Sequence, residues 1–193
     1  SVILAGFRQV TQAGDAVASI IGAGIIPAGM EMMDKLAVQA AEQFAHAGYP
    51  LDAAAILIIE LDGAQAELSD VTAQVISHLD ACGAYQIDQA DDAETQARLW
   101  KGRKSAFPAV GRLSPDYICM DGTIPRHKLE HVLTQIDELS QRFGLAVANV
   151  FHAADGNLHP LILFDANVPG QTDHAMAMGG EILQCCVAAG GTV

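Results

Sequence analysis

The stretch that decides the fold is Ala146-Val-Ala-Asn-Val-Phe-His152-Ala-Ala-Asp-Gly-Asn-Leu-His159-Pro-Leu-Ile-Leu-Phe164. A short apolar run lies at each end of it, and the polar residues Asp-Gly-Asn between the runs are typical of a tight turn. Two strands joined by such a turn run antiparallel. The sequence therefore predicts strands at Ala146–His152 and Pro160–Phe164 in a sheet with antiparallel pairs.

Outside this stretch, apolar runs that predict strands alternate with helical periodicities. The other strand candidates are Val2–Phe7, Ile25–Met33, Ala55–Leu61, Tyr85–Ile87 and Tyr117–Ile124. The helix candidates are Gly14–Ile21, Lys35–Ala47, Glu67–Ala81, Ala93–Ala106, Arg126–Phe143 and Thr172–Ala188. Alternation alone would suggest a parallel α/β sheet, but the antiparallel pair favours α+β. Since no low-complexity linker interrupts the pattern, we predict a single domain over residues 1–193.

The composition excludes several classes of function. Of the 193 residues, 51% are hydrophobic, which suits a compact unit with a sizeable core. A formal net charge of −13 argues against nucleic acid or an anionic membrane as partner, because phosphate binding needs clustered basic side chains. The four cysteines show no C-x-x-C spacing, and the sequence shows neither a signal peptide nor a bilayer-spanning run. We therefore expect a reduced, cytoplasmic chain without a transmembrane segment.

The turn also carries the most concentrated chemistry. His152 and His159 flank it, so the turn can bring two imidazoles together, and imidazole suits zinc, iron and other transition metals. Asp155 and Asn157 are natural supports for the orientation of the two rings. The alternative is a hairpin turn with two incidental histidines, and no third ligand is evident from the spacing.

A second candidate is the basic segment Leu99-Trp-Lys-Gly-Arg103-Lys104. Arg103 could bind a carboxylate with two parallel hydrogen bonds. The alternative is a solvated helix face whose tryptophan docks inward.

Other tempting patterns have simpler interpretations. His127 and His131 stand four residues apart on a predicted helix, beside charged neighbours, and are interpreted as surface residues. Met30, Met32 and Met33 are interpreted as core residues. The Gly22-Ala-Gly24 segment follows a predicted helix, the reverse of a dinucleotide-binding fingerprint, and is interpreted as a helix stop.

The motifs taken together resemble the C-terminal domain of FAD-linked oxidases, over essentially the whole chain. That group contains D-lactate dehydrogenases, D-2-hydroxyglutarate dehydrogenase and the FAD-linked subunit of glycolate oxidase. The motifs that carry the resemblance are, in order, Trp100-x-x-Arg103, Asp121-x-Thr-Ile-Pro125 and His152-x-x-Asp-Gly-Asn-Leu-His159.

The resemblance implies a role for each candidate residue. His152 and His159 would be two ligands of a divalent metal such as zinc, manganese or iron, with Asp155 and Asn157 supporting them. Arg103 would bind the substrate carboxylate. The third metal ligand, a glutamate, and the catalytic histidine beside it would lie beyond Val193, so no catalytic residue is expected within this chain.

The resemblance also implies the fold and the reaction. We expect a mostly antiparallel sheet with helices on one face, in two ferredoxin-like halves, with Met176 and Ile182 of the last helix packed on the sheet. The chain would be the substrate domain of a longer flavoprotein whose FAD lies mainly in an N-terminal domain. That protein would oxidise a small 2-hydroxy acid such as glycolate or D-lactate.

Further expectations concern partners and alternatives. Iron–sulfur and other oxidase subunits would be partners, and could hold the protein at the inner membrane. The isolated domain would be inactive and could form homodimers through exposed surface. A binding or subunit-interaction module that has lost the chemistry remains the alternative, and a small metal-dependent hydrolase is a third possibility.

Overall fold

The computed structural model describes the backbone of residues 1–193 and every side chain except those of residues 65 and 66. Over these residues the chain forms eight strands and seven α-helices. The strands are β1 Val2–Phe7, β2 Gly29–Asp34, β3 Ala55–Glu60, β4 Ala84–Ala90, β5 Asp116–Cys119, β6 Gly122–Thr123, β7 Val147–His152 and β8 Asn157–Phe164. The helices are α1 Val10–Gly22, α2 Lys35–Ala45, α3 Gln65–Ala81, α4 Ala93–Lys104, α5 Ala106–Val110, α6 Leu129–Phe143 and α7 Gln171–Ala188.

All the strands belong to one sheet in which every neighbouring pair is antiparallel. The strand order is β4-β1-β3-β2-β7-β8-β5, with β6 pairing with β8 beyond the end of β5. The order β4-β1-β3-β2 is that of a ferredoxin-like unit, here with α2 inserted between its second and third strands. The order β7-β8-β5 repeats three of the same four positions. Two ferredoxin-like halves are what the resemblance implied, and the pairing of β2 with β7 joins them.

Helices cover both faces of the sheet, whereas the sequence predicted helices on one face. The four-helix face packs against α1, α3, α6 and α7, and the three-helix face against α2, α4 and α5. The reason is visible in β3, where Leu57 and Ile59 point to the first face while Ile56 and Ile58 point to the second. All four side chains are at most 1% exposed, so neither face could be left to solvent.

Helix α6 has its C-terminal end at Phe143, as the sequence predicted. Pro125 precedes a short 3₁₀ turn that leads into the helix, and Gly144 closes it with a φ of 66°. Five apolar residues of α6 are buried on the four-helix face: Leu129, Val132, Leu133, Ile136 and Leu139.

Three local expectations were wrong. The predicted strand Tyr117–Ile124 is interrupted between β5 and β6. The predicted helix Ala93–Ala106 ends at Lys104, and the separate short helix α5 follows it. In α7, Ile182 is buried, but Met176 is 57% exposed because Ala175, Met178 and Gly179 form the packed side instead.

Pro160 explains the interruption between β5 and β6. It lies inside β8, and its carbonyl accepts a hydrogen bond from the Met120 N–H. The same edge of Pro160 has no N–H to donate, since proline lacks one, so the neighbouring strand cannot pair continuously there. The break places Asp121 beside the β7–β8 pair, near the predicted histidine site.

Candidate functional site

The β7–β8 turn brings the two predicted histidines together. His152 pairs with Asn157 across the turn and His159 pairs with Val150, so both imidazoles extend from the three-helix face. Their ring centroids lie 5.1 Å apart, edge to face. Gly156 in the turn has a φ of 71°, and a Cβ there would lie 2.2 Å from the Ile124 carbonyl oxygen. The turn therefore requires glycine at this position.

Glu31 is the carboxylate that contacts His152, and the sequence analysis did not identify it. The register of β2 against β7 places Glu31 opposite His152. Its Oε1 lies 2.7 Å from Nδ1 of His152. The available signal was that Glu31 is the single charged residue in the run Ile25–Met33, since an ionisable group in an apolar strand needs a partner.

Arg103 joins the same cluster through Glu31. Its Nε and Nη2 donate to Glu31 Oε2 at 3.0 and 2.8 Å. Arg103 is 8% exposed and so is buried, which excludes the solvated helix face that was the alternative interpretation. Its Nη1 makes no hydrogen bond to the described residues.

Close packing of α4 against the loop after α2 holds Arg103 in place. A Cβ at Gly102 would lie 2.5 Å from the Tyr49 hydroxyl oxygen and 2.6 Å from the Ala47 Cβ. The Tyr49 hydroxyl donates to the Leu99 carbonyl, one turn before Arg103. Only glycine at position 102 lets α4 pack this closely against Ala47 and Tyr49. This close packing places the guanidinium of Arg103 within reach of the sheet.

His159 lies deeper than His152. Its side chain is 15% exposed, against 43% for His152, and it packs edge-on against the Phe107 ring of α5. Desolvation lowers the pKa of His159, the positive charge of Arg103 lowers it further, and the Asp121 carboxylate opposes the shift. The imidazole is therefore neutral at pH 7, which is the form that binds metals.

The surroundings of the two ring nitrogens of His159 indicate what this side chain could bind. Among the described residues its buried Nδ1 has no hydrogen-bond partner. On the other side of the ring, Nε2 lies 3.7 Å from Asp121 Oδ1, beyond the length of a direct hydrogen bond. A buried ring nitrogen without a partner is an unmet requirement that a ligand could satisfy.

The predicted supports of the histidines occupy different places. Asp155 is exposed in the turn, and only its backbone N–H bonds to His152, through the carbonyl. Asn157 is half-buried, with an Oδ1 that has no partner among the described residues. Both roles remain predictions, because the carboxylate in contact with His152 is Glu31.

A cavity of about 220 Å³ opens beside His152 and Glu31. Asp155 and Arg126 also line it, together with apolar residues that precede β2. The remaining candidates lie elsewhere as predicted: His127 and His131 are exposed, and the three methionines of β2 are buried.

The two histidines are the side chains of this site that could contact a metal ion. Within the described part of the chain, no group of three His, Cys, Asp or Glu side chains is placed to hold a metal ion. His152 and His159 could supply two ligands, since one has its Nδ1 fixed by a carboxylate and the other has a buried free nitrogen. Metal binding by these two histidines stays a prediction.

The fold and the site define an α+β domain in which an arginine, a carboxylate and two histidines form one connected cluster, with the carboxylate and one of the histidines lining a small cavity. Its fold matches that of p-cresol methylhydroxylase, solved with substrate bound, with a TM-score of 0.75 at 16% identity, covering 100% of this chain and 44% of that one. The family described as FAD linked oxidases, C-terminal domain, matches residues 1–193. The chain belongs to that family, as the motifs indicated.

Curated relatives agree with this assignment. The glycolate oxidase subunit GlcD of Escherichia coli strain K12 is 56% identical over 192 residues, which cover 100% of this chain and 38% of that protein. The subunit of the same name from Bacillus subtilis strain 168 is 29% identical, over 99% of this chain and 41% of that protein. The chain thus spans about two fifths of the length of these relatives.

Proposed function

We propose that this chain is the substrate-binding domain of a flavin-dependent oxidoreductase that oxidises a small 2-hydroxy acid, glycolate or D-lactate. The observation that supports this most is the continuous row Arg103, Glu31, His152 and His159, of which Glu31 and His152 line a cavity of a size for a small acid. The row combines a cation for a carboxylate with two imidazoles for a hydroxyl. The relatives named glycolate oxidase subunit support the choice of substrate class.

Each residue of the row has a separate task in this proposal. Arg103 binds the substrate carboxylate through Nη1, the nitrogen that Glu31 leaves free. His152 and His159 would hold a divalent metal, which when bound lowers the pKa of the substrate hydroxyl. Together these contacts orient the substrate so that its C–H bond faces the flavin, and orientation of this kind is a large part of a rate enhancement.

The remaining parts of the proposal concern the whole protein. FAD use follows from the family, and its binding mainly by a preceding domain is a prediction. The relatives are named as subunits, which supports a multi-subunit oxidase, and an iron–sulfur subunit among its partners stays a prediction. None of the described helices is long and apolar enough to cross a membrane. A cytoplasmic location, peripheral attachment through partner subunits and homodimers of the isolated domain stay predictions.

The test is to replace His152 or His159 with Ala in the full-length protein, assembled with its partner subunits. We expect kcat/KM for glycolate and D-lactate to fall at least 100-fold and the bound metal, measured by mass spectrometry, to be lost. His127→Ala and His131→Ala are matched controls, since these histidines are exposed and outside the row; both should keep wild-type turnover.

Two outcomes would contradict the proposal. Unchanged turnover and metal content in both row variants would exclude a role for the histidines. A full-length wild-type protein that binds the hydroxy acid without oxidising it would instead favour the binding module without chemistry.

A further inference from the structure

We propose that Glu31 is a positioning residue that fixes the orientation of His152 and Arg103 relative to each other. The inference rests on the proposed function of these two residues. It starts from the two oxygens of one carboxylate, which among the described side chains have different partners: Oε1 bonds only to the imidazole of His152, and Oε2 bonds only to the guanidinium of Arg103. Both of the residues that Glu31 contacts are residues of the row that we expect to touch substrate or metal.

The contact with His152 selects one form of the ring. A carboxylate accepts hydrogen bonds, so Nδ1 of His152 must carry the hydrogen that points to Oε1. In the neutral ring the lone pair is then on Nε2, and the same contact limits rotation of the imidazole. A carboxylate that binds the far nitrogen of a metal-ligating histidine has this effect in metal sites generally.

The contact with Arg103 aligns the other end of the site. Nε and Nη2 both donate to Oε2, which fixes the plane of the guanidinium and directs Nη1 away from Glu31. The pair is largely buried, with side-chain exposures of 9% for Arg103 and 12% for Glu31. Because burial excludes competing water, the contacts hold one geometry.

Strand register places Glu31 between its two partners. Glu31 lies on β2 directly opposite His152 on β7, at the junction of the two ferredoxin-like halves. Arg103 reaches it from α4 of the N-terminal half. The substrate anchor and the histidine pair therefore come from different halves, and Glu31 is the side chain that connects them.

The first variant to test is Glu31→Gln in the full-length protein. Gln offers one acceptor and one donor in place of two acceptors, so it cannot accept from His152 and Arg103 together. We expect kcat/KM for glycolate to fall 10- to 100-fold and the dissociation constant for Mn²⁺, used as the probe metal, to rise by a similar factor. FAD content and Tm are measured alongside to follow folding.

Glu31→Asp is a second variant that tests the same positioning role if Glu31→Gln does not fold. Aspartate keeps the negative charge beside Arg103 but is one methylene shorter, so it cannot reach both partners. We expect near wild-type FAD content and Tm, with kcat/KM about 10-fold lower. A role limited to balancing the buried charge would leave kcat/KM unchanged in this variant.

Glu60→Gln is the matched control, because Glu60 lies on neighbouring β3 on the same sheet face and its carboxylate makes no hydrogen bond within the described residues. It should leave kcat/KM and Mn²⁺ affinity within twofold of wild type. Glu31 variants within twofold on both measurements, or an equal loss from Glu60→Gln, would overturn the inference. If His152→Ala also left both unchanged, the proposed function itself would fail.

Discussion

Two carboxylates three residues apart on β2 have different partners on the two faces of the sheet, and we propose a functional role for Glu31 alone. Glu31 extends from the three-helix face and bonds to two ionisable side chains, His152 and Arg103. Asp34 bonds only to uncharged donors: the Ala37 N–H at the start of α2, and the backbone and side-chain amides of Asn149. Both carboxylates are largely removed from solvent.

The difference in partners determines how unfavourable it is to bury each carboxylate in its charged form. Glu31 has a guanidinium as counter-charge, so its negative charge is compensated where it is buried. Asp34 has no such partner among the described residues, and burial raises its pKa to about 6 even though the amide donors oppose the shift. A buried carboxylate that bonds to ionisable groups on other elements therefore indicates a site, whereas one that caps the next helix indicates structure.

The largest expected effect comes from removing the counter-charge of Glu31. Arg103→Met leaves a buried carboxylate beside His152 alone, and we expect the free energy of unfolding to fall by about 3 to 5 kcal/mol. The double variant Glu31→Gln/Arg103→Met removes both charges and should recover most of that loss while turnover stays low. Chemical denaturation of wild type and both variants measures this. A double variant no more stable than Arg103→Met would show that the ion pair is not what the single variant breaks.

An intermediate effect is expected from the other carboxylate. Asp34→Ala removes the cap of α2 and leaves the amides of Asn149 without their acceptor, so we expect a loss of about 2 kcal/mol in the free energy of unfolding at pH 5. Its KM for glycolate should match that of the wild type, because Asp34 lies on the opposite face from the row. Denaturation and steady-state kinetics on one preparation test both statements. A raised KM in Asp34→Ala would contradict the statement that Asp34 has a structural role and no role in substrate binding.

The contacts of this site that could be predicted from the sequence are those between residues close together in the chain. The pairing of β7 with β8 and the approach of His152 to His159 follow from one turn of a few residues, and the structure has them as predicted. Glu31 stands 121 residues from His152 along the chain, so the contact depends on how the two halves join. No periodicity within either segment encodes that junction.

The other differences also have physical causes. The segment of α4 is rich in charged residues and resembles a solvated helix, but Gly102 lets it pack closely enough to bury Arg103. Helix α5 has only five residues and contains Pro108, so it gives no readable period. Coverage of both sheet faces could have been inferred from the unbroken apolar run of β3.

The smallest expected effect is the pH dependence that Asp34 adds to stability. The pKa of Asp34 is about 6 in the folded protein against its ordinary value of 3.8, so the folded state holds the proton more tightly than the unfolded state. The stabilising contribution is therefore fully present below pH 3.8, falls as the pH rises towards 6, and is lost above that. Between pH 5 and 7.5 the free energy of unfolding of the wild type should fall by about 1 kcal/mol relative to that of Asp34→Asn, whose side chain cannot titrate there. Denaturation curves for both proteins at the two pH values measure the difference, and a loss of equal size in Asp34→Asn would assign the dependence to other groups.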